Sequence, residues 1–267
     1  MLASNAPVLR PRSLAEALRL RREHPTATVL AGGTDVFVYM EAGALAPSGV
    51  IDLWGCEGLR SIGLDRGTLR IGAMSTYTDL VSSGLVPGVL KEAALTVGAV
   101  QIQNRGTVGG NICNSSPAGD TLPVWLVLDA EFELASVSGT RRVAAADFWQ
   151  GYKKTARNDD ELLVAIYLPD VRGEAHFRKV GTRMAQSISK VVFAARRAAG
   201  EARIAFGAVG PVPMRIPAAE TAVANGAPAA EVLALVAAGI CPIDDVRSTS
   251  DYRRRVTTNV VRRWLST

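Results

Sequence analysis

Apolar positions in the first fifty residues come in two periods. Ser13-Leu14-Ala15-Glu16 reads as a capping box opening a helix to about His24, with Pro25 just beyond its end. Thr28 to Ala31 is a short apolar strand, Thr34 to Glu41 a helix and Val50 to Leu53 a second strand, which together predict an α/β unit. The pattern then changes. Ser61 to Leu64 and Thr68 to Gly72 flank the turn Asp65-Arg66-Gly67 as a hairpin. Ser75 is placed to cap a helix through about Ser82, Pro87 to Val97 reads as another, and Asp120 to Leu128 as a buried one. Glu131 to Val137 and Arg141 to Ala144 form a hairpin around Ser138-Gly139-Thr140, and Leu162 to Leu168 is an apolar strand stopped by Pro169. From Asp170 onward, His176 to Gly181, Val191 to Arg196 and Arg203 to Val209 predict a small antiparallel sheet, followed by helices from about Ala218, Ala229 and Ser250. On the last helix Tyr252, Val256, Val260 and Trp264 recur every four residues, a stripe expected to pack on that sheet.

Two Gly-Gly segments carry the most chemical information: Ala31-Gly32-Gly33-Thr34-Asp35, directly after a strand, and Thr107-Val108-Gly109-Gly110-Asn111. Glycine reaches positive φ and lets another group approach the backbone. Successive bare N–H groups in such turns make a concave anion site. Two of them, far apart in sequence, predict two loops closing on one diphosphate. Neither matches the G-x-G-x-x-G fingerprint or the phosphate loop ending in Gly-Lys-Ser/Thr. A dinucleotide here must therefore bind in another fold.

The formal charge of +5 raises the question of nucleic acid. The basic residues fall in scattered pairs (Arg141-Arg142, Lys153-Lys154, Arg196-Arg197), with Arg253-Arg254-Arg255 and Arg262-Arg263 on the terminal helix. The aromatic residues do not interleave with them as a single-strand binder requires. A solvated surface or a protein-docking face is the expected reading, with no nucleic-acid partner. The longest apolar stretch, Val232 to Cys241, is too short for a bilayer span of ~20 residues, and no basic-then-apolar leader opens the chain. A cytoplasmic protein without a membrane span is expected. Cys56, Cys113 and Cys241 are dispersed, without a C-x-x-C pair, and His24 and His176 are the only histidines. No disulfide framework, iron–sulfur cluster or zinc site is expected within this chain. On its own, Cys113 reads as a small packed hydrophobe, Lys179 as a surface residue on a strand, and Asp120, ahead of an apolar run, as a helix N-cap.

Taken in order, Ala31-Gly-Gly-Thr-Asp35, Asn104-Arg-Gly-Thr-Val-Gly-Gly-Asn111, Ser116-Pro-Ala-Gly-Asp120, Phe177-Arg-Lys-Val180, Ile188-Ser-Lys-Val191, Pro213-Met-Arg215 with Glu220, and Tyr252-Arg253 extend over nearly the whole chain. In order and spacing they resemble the FAD-binding medium subunit of the molybdenum hydroxylases, the family of xanthine dehydrogenase and carbon monoxide dehydrogenase. The resemblance implies an α+β fold. Two α/β subdomains (about 1–56 and 57–169) form the FAD-binding domain, and a C-terminal domain (170–267) is a small antiparallel sheet with helices. It implies that Ala31, Gly32, Gly33, Thr34, Asp35 and Val36, together with Thr107, Val108, Gly109, Gly110 and Asn111, form the loops that meet the FAD diphosphate through backbone N–H groups. Thr107 adds a hydroxyl. Asp120 accepts from a sugar or ribityl hydroxyl, a role compatible with capping. Leu163 packs or bonds near the flavin or adenine, and Lys179 lies near the flavin ring.

The four-cysteine insertion of some relatives has no counterpart among the three cysteines, and neither Gly-Gly loop offers a histidine or cysteine for flavin attachment. Non-covalent FAD is expected. The implied function is an electron-transfer flavin subunit of a hetero-oligomeric molybdenum hydroxylase. A large molybdenum-cofactor subunit, a small 2Fe–2S subunit and an external electron acceptor are its expected partners. No residue of this chain is then required for acid/base catalysis. The alternative is a free-standing FAD-dependent oxidoreductase of a related fold.

Overall fold

The strand Leu162–Leu168 is buried at every position. In this computed structural model, which describes residues 6–170, 172–183 and 186–267, it is the middle strand of a five-stranded antiparallel sheet. The order across that sheet is Ile62–Asp65, Thr68–Gly72, Leu162–Leu168, Glu131–Ser136, Gly139–Ala144. Its two faces look into different cores. Leu162 and Val164 pack with Ala17, Ile51 and Leu53 of the N-terminal segment. Leu163, Ile166 and Leu168 pack with Trp125, Phe132 and Phe148. A strand dressed on both faces reads as a continuous apolar run, which is why its limits are legible in the sequence.

The N-terminal segment is a three-stranded parallel sheet in the order Val8–Leu9, Val50–Asp52, Thr28–Leu30, with the helix Leu14–Glu23 between its first two strands in the chain. The C-terminal segment is a meander of Glu174–Val180, Val191–Ala198, Glu201–Gly207 and a short fourth strand, Met214–Arg215. One face of this meander meets its own helices through Phe193, Phe206, Val236, Val261 and Trp264. Ala194 and Ala205 on the other face belong to the same core as the fully buried helix Leu122–Val127. Small side chains on that face let the sheet lie close against the helix.

Several local expectations need correction. Thr76, not Ser75, caps the helix Tyr77–Ser82, because Thr76 stands three residues before Asp79. The hydroxyl takes the Asp79 N–H at 3.2 Å and the Asp79 carboxylate takes the Thr76 N–H at 2.8 Å. At Ser13 only half the box forms, since the Glu16 carboxylate accepts from Arg12 N–H at 2.8 Å instead. On the terminal helix Ser250–Leu265, Val256, Val260 and Trp264 pack against the meander's core as expected, and a more deeply buried line of Arg253, Thr257 and Val261 runs beside them. Arg253 is the unexpected member. Its guanidinium donates to the carbonyls of Lys190 (3.0 Å) and Ala208 (2.7 Å) and to Asp245 (2.8 Å), which turns a basic residue into the anchor of the helix.

Glu161, just ahead of the central strand, takes two hydrogen bonds from Arg141 (2.6 and 2.8 Å) and one from Asn158 N–H (2.7 Å). The Arg141 bonds hold its carboxyl below the usual carboxylate range. A depressed folded-state pKa gives stability that is present above the unfolded value and lost as pH falls through the folded one. Glu161→Gln is expected to lower unfolding free energy near pH 7 by about 1.5–3 kcal/mol. That deficit should shrink as pH drops below about 4, when the wild-type carboxylate protonates as well. Urea titrations across pH measure it. A deficit that stays constant into acid would refute the assignment.

Candidate functional site

Where the N-terminal segment, the five-stranded sheet and the C-terminal meander meet, they leave a cleft of about 1420 Å³. Sites for drug-sized ligands occupy roughly 300–1,000 Å³, so this one suits a longer molecule. Its floor is made by the two Gly-Gly segments, and the structure shows what each glycine is for. A Cβ on Gly32 would fall on the carbonyl of Arg105, so the first segment lies directly on the backbone that leads into the second. Gly33 has φ +80°, the left-handed region. A Cβ on Gly109 would meet Ala73 at 2.7 Å. At Gly110 the nearest atoms would be the Thr107 hydroxyl at 2.9 Å and Ala31 Cβ at 3.8 Å, across the gap between the two segments. Three of the four glycines therefore serve chain-on-chain packing or backbone conformation.

The second segment is not a turn. Val108–Asn114 is a short helix capped by the Thr107 hydroxyl, which accepts from Gly110 N–H at 3.1 Å. Its first amides are committed: Val108 to Ser75 O, Gly109 to Ala73 O, Asn111 to Thr107 O. The first segment is the opposite case. Among the described residues, no acceptor takes the N–H of Gly32, Gly33, Thr34, Asp35 or Val36. The helix predicted from Thr34 begins only at Val36, and Asp35, its N-cap residue, makes no side-chain capping bond. Five consecutive amides without a protein acceptor, beside a cleft, are donors of the kind that hold anions. Burial pushes the Asp35 carboxyl up, and Lys153 pulls it back.

Ala31 to Val36, Thr107, Gly109, Gly110, Asn111, Asp120 and Leu163 all line the cleft. Val108 is buried in the core behind it, and Lys179 stands one layer back, bonded to Asp120. Asp120 is not an N-cap: the helix starts after Thr121, and the carboxylate turns the other way. It accepts from Lys179 Nζ at 2.6 Å, Ser189 Oγ at 2.5 Å and Thr96 Oγ1 at 3.2 Å. The Lys179 side chain is only 5% exposed, so it is no surface residue, and its ammonium also donates to Thr96 O at 3.0 Å. Burial pushes the Asp120 carboxyl up, and the ammonium beside it is the largest opposing influence. This buried pair joins the five-stranded half to the meander at the cleft wall.

Sequence reasoning missed Thr96 and Ser189 as partners of Asp120. It also missed Tyr77, whose ring lines the cleft and whose buried hydroxyl has no hydrogen-bond partner. Burial pushes that phenol well above its ordinary range, so it stays neutral and able to donate. The motif Ile188-Ser-Lys-Val191 was the available signal for Ser189; nothing local marks Thr96 or Tyr77. Cys113 also lines the cleft and is half-buried against the core that holds Trp125 and Phe132, and burial pushes its thiol up. Among the described residues no group of three or more His, Cys, Asp or Glu is placed to hold a metal ion. Nor, among them, is any helix long and apolar enough to cross a membrane.

A family model described as FAD binding domain in molybdopterin dehydrogenase matches residues 3–171, and one described as CO dehydrogenase flavoprotein C-terminal domain matches residues 175–267. The chain is 33% identical over 257 residues to the xanthine dehydrogenase FAD-binding subunit of Escherichia coli O157:H7, covering 91% of this chain and 87% of that one. It is 30% identical over 260 residues to the glyceraldehyde dehydrogenase medium chain of Sulfolobus acidocaldarius, covering 93% and 92%. Among solved structures, a chain of the carbon monoxide dehydrogenase from Hydrogenophaga pseudoflava that lacks the Mo-pyranopterin moiety superposes with a TM-score of 0.91. It is 28% identical, with 98% of this chain and 96% of that chain covered.

Removing one member of a buried ion pair strands the other. Asp120→Ala is therefore expected to destabilise the fold by about 3–5 kcal/mol, whereas Asp120→Leu combined with Lys179→Met recovers most of the loss. Chemical denaturation of both variants tests this. A single variant as stable as wild type would show that the pair does not hold the two halves together.

Proposed function

The chain belongs to the family of FAD-binding subunits of molybdopterin dehydrogenases, and from that premise we propose that it is the subunit through which electrons leave a multi-subunit molybdenum hydroxylase. In this reading a separate large chain holds the molybdenum cofactor and oxidises the substrate. A separate small chain holds 2Fe–2S clusters, and the acceptor is external. FAD, when bound, supplies the ability to accept electrons singly and release them as a pair.

One observation carries the reading: the row of uncommitted amides from Gly32 to Val36 opens on a cleft with room for a dinucleotide. These N–H groups are suited to hold the diphosphate, with the Thr107 hydroxyl on the facing segment as a further contact. Asn111, whose side-chain oxygen accepts from Thr121 at 2.9 Å, keeps its amide nitrogen for the ligand. Asp120, positioned by Lys179 and Ser189, offers its carboxylate to a sugar or ribityl hydroxyl. Leu163 presents an apolar surface, and Lys179 acts through Asp120 on the ring system. Two of the three carboxylates lining the cleft among the described residues support a holding role over proton transfer. Asp120 is tied to Lys179, and Asp245 to Arg253 and Arg247. The relatives named above serve complexes with unlike substrates, which supports substrate choice residing in another chain. Cytoplasmic residence fits three cysteines that form no disulfide.

The purified protein is expected to carry non-covalent FAD, released by acid denaturation. Gly110→Val, which fills the gap between the two segments, is expected to lose it while keeping its far-ultraviolet circular dichroism. A Gly110→Val protein with wild-type flavin content would refute the loop assignment. Native purification is expected to yield this chain with a molybdenum-containing large chain and an iron–sulfur small chain, and substrate should bleach flavin and clusters together. Substrate-driven flavin reduction by this chain alone, free of iron and molybdenum, would instead favour a free-standing oxidoreductase.

A further inference from the structure

Among the described residues five cationic side chains line the cleft: Arg21, Lys153, Arg157, Arg247 and Arg253. Four are committed. Arg21 donates to Ala27 O at 2.9 Å and Asp159 O at 2.6 Å, and Arg157 to Glu161 O at 2.8 Å. Arg247 pairs with Asp245, and Arg253 is the buried anchor already described. Lys153 differs: among the described residues it makes no hydrogen bond and no ion pair. Its ammonium instead lies 4.2 Å from the centre of the Tyr39 ring, on the helix that follows the Gly32–Val36 amides. Asp35, within that amide row, is the carboxylate that feels its charge.

The backbone at Lys153 is also unusual. It is the second residue of a two-residue turn between Trp149–Gly151 and Lys154–Thr155, with φ +53°. Glycine or asparagine takes that conformation with less strain, so a lysine there calls for a reason in its side chain. The amides of Gly32 to Val36 supply only partial positive charge, and Asp35 sets a negative group among them. A diphosphate brings two full negative charges. A full cation beside the amides offsets that charge, and Lys153 is the one cation among the described cleft residues with neither a hydrogen bond nor an ion pair.

We propose that Lys153 is the counter-ion of the FAD diphosphate, held over the Gly32–Val36 amides by its strained turn and by the face of Tyr39. This rests on the reading of the cleft as an FAD site and adds a residue that none of the motifs contains. Lysine here acts as a compact, strongly hydrated point charge on a flexible stem, so arginine is an adequate but imperfect substitute.

The test uses the full chain stripped of flavin and titrated with FAD, following quenching of flavin fluorescence. Lys153→Gly removes the charge and relieves the left-handed strain, so the apo protein is expected to melt no lower than wild type. Its FAD Kd is expected to rise roughly tenfold, with the difference shrinking at high salt, and Lys153→Arg is expected to recover most of it. ADP, which carries the diphosphate without the flavin, should lose the same factor as a competitor. Unchanged FAD affinity in Lys153→Gly would overturn the proposal. So would a weakened FAD affinity with unchanged ADP competition, because the lysine would then act elsewhere on the cofactor. Wild-type protein that binds no FAD at all would instead overturn the reading of the cleft itself.

Discussion

Burial of both faces of the strand Leu162–Leu168 is the constraint on which the rest of the molecule depends. Leu162 and Val164 complete the core of the N-terminal segment, and Leu163, Ile166 and Leu168 complete that of the second. Neither core closes without this strand, so the parallel N-terminal sheet and the five-stranded sheet cannot slide past one another. Fully burying one such side chain is worth about 1.5–3 kcal/mol, and each lies on a strand shared by two cores. The irregularity between Leu163 and Ala165 falls where Leu163 reaches the cleft. Packing and site geometry are thus set by the same few residues.

A second constraint follows from chain crossing chain. The Gly32 Cα lies on the Arg105 carbonyl, and Gly109 lies on Ala73, so the walls of the cleft are brought together by protein packing before any ligand is considered. Arg105 completes the crossing from outside by stacking its guanidinium 3.4 Å from the centre of the Trp54 ring. The cleft is consequently preorganised, which lowers the ordering cost of binding. Asp120 and Lys179 extend this to the meander: a buried pair spanning two parts of the chain fixes their relation. Asp129 does similar work at the far edge, accepting from Arg196, Arg203 and Arg215.

Arginine recurs in these structures for a physical reason. Arg21, Arg196 and Arg253 are almost fully buried, and each satisfies carbonyl oxygens at the ends of strands or helices that would otherwise be stranded away from water. A surplus of positive charge on paper is therefore partly structural. Arg253 belongs to the inside of the molecule, whereas its neighbours Arg254 and Arg255 stay at the surface.

Periodicity alone determined the longer helices and strands, the central strand to its last residue, and the hairpins on either side of it, because these depend on neighbours two to four positions away. It did not reveal the short helices Val100–Gln103 and Val108–Asn114 or the hairpin of Trp149–Gly151 with Lys154–Thr155. The motifs marked the two Gly-Gly segments and Asp120 as the chemistry to watch. Only the tertiary structure decided what each of them packs against and is bonded to. Gly32 and Gly109 answer to backbone more than thirty residues distant in sequence, so their need for a bare Cα cannot be read from their own surroundings. The free amides could be told from the committed ones only once Ser75, Ala73 and Thr107 were seen to have claimed those of the second segment. Lys179 looked like a surface lysine and Asp120 like a cap until folding brought them within 2.6 Å of each other. Local patterns are written by local energetics. A site assembled from three parts of a chain depends on distances that exist only after the cores have closed.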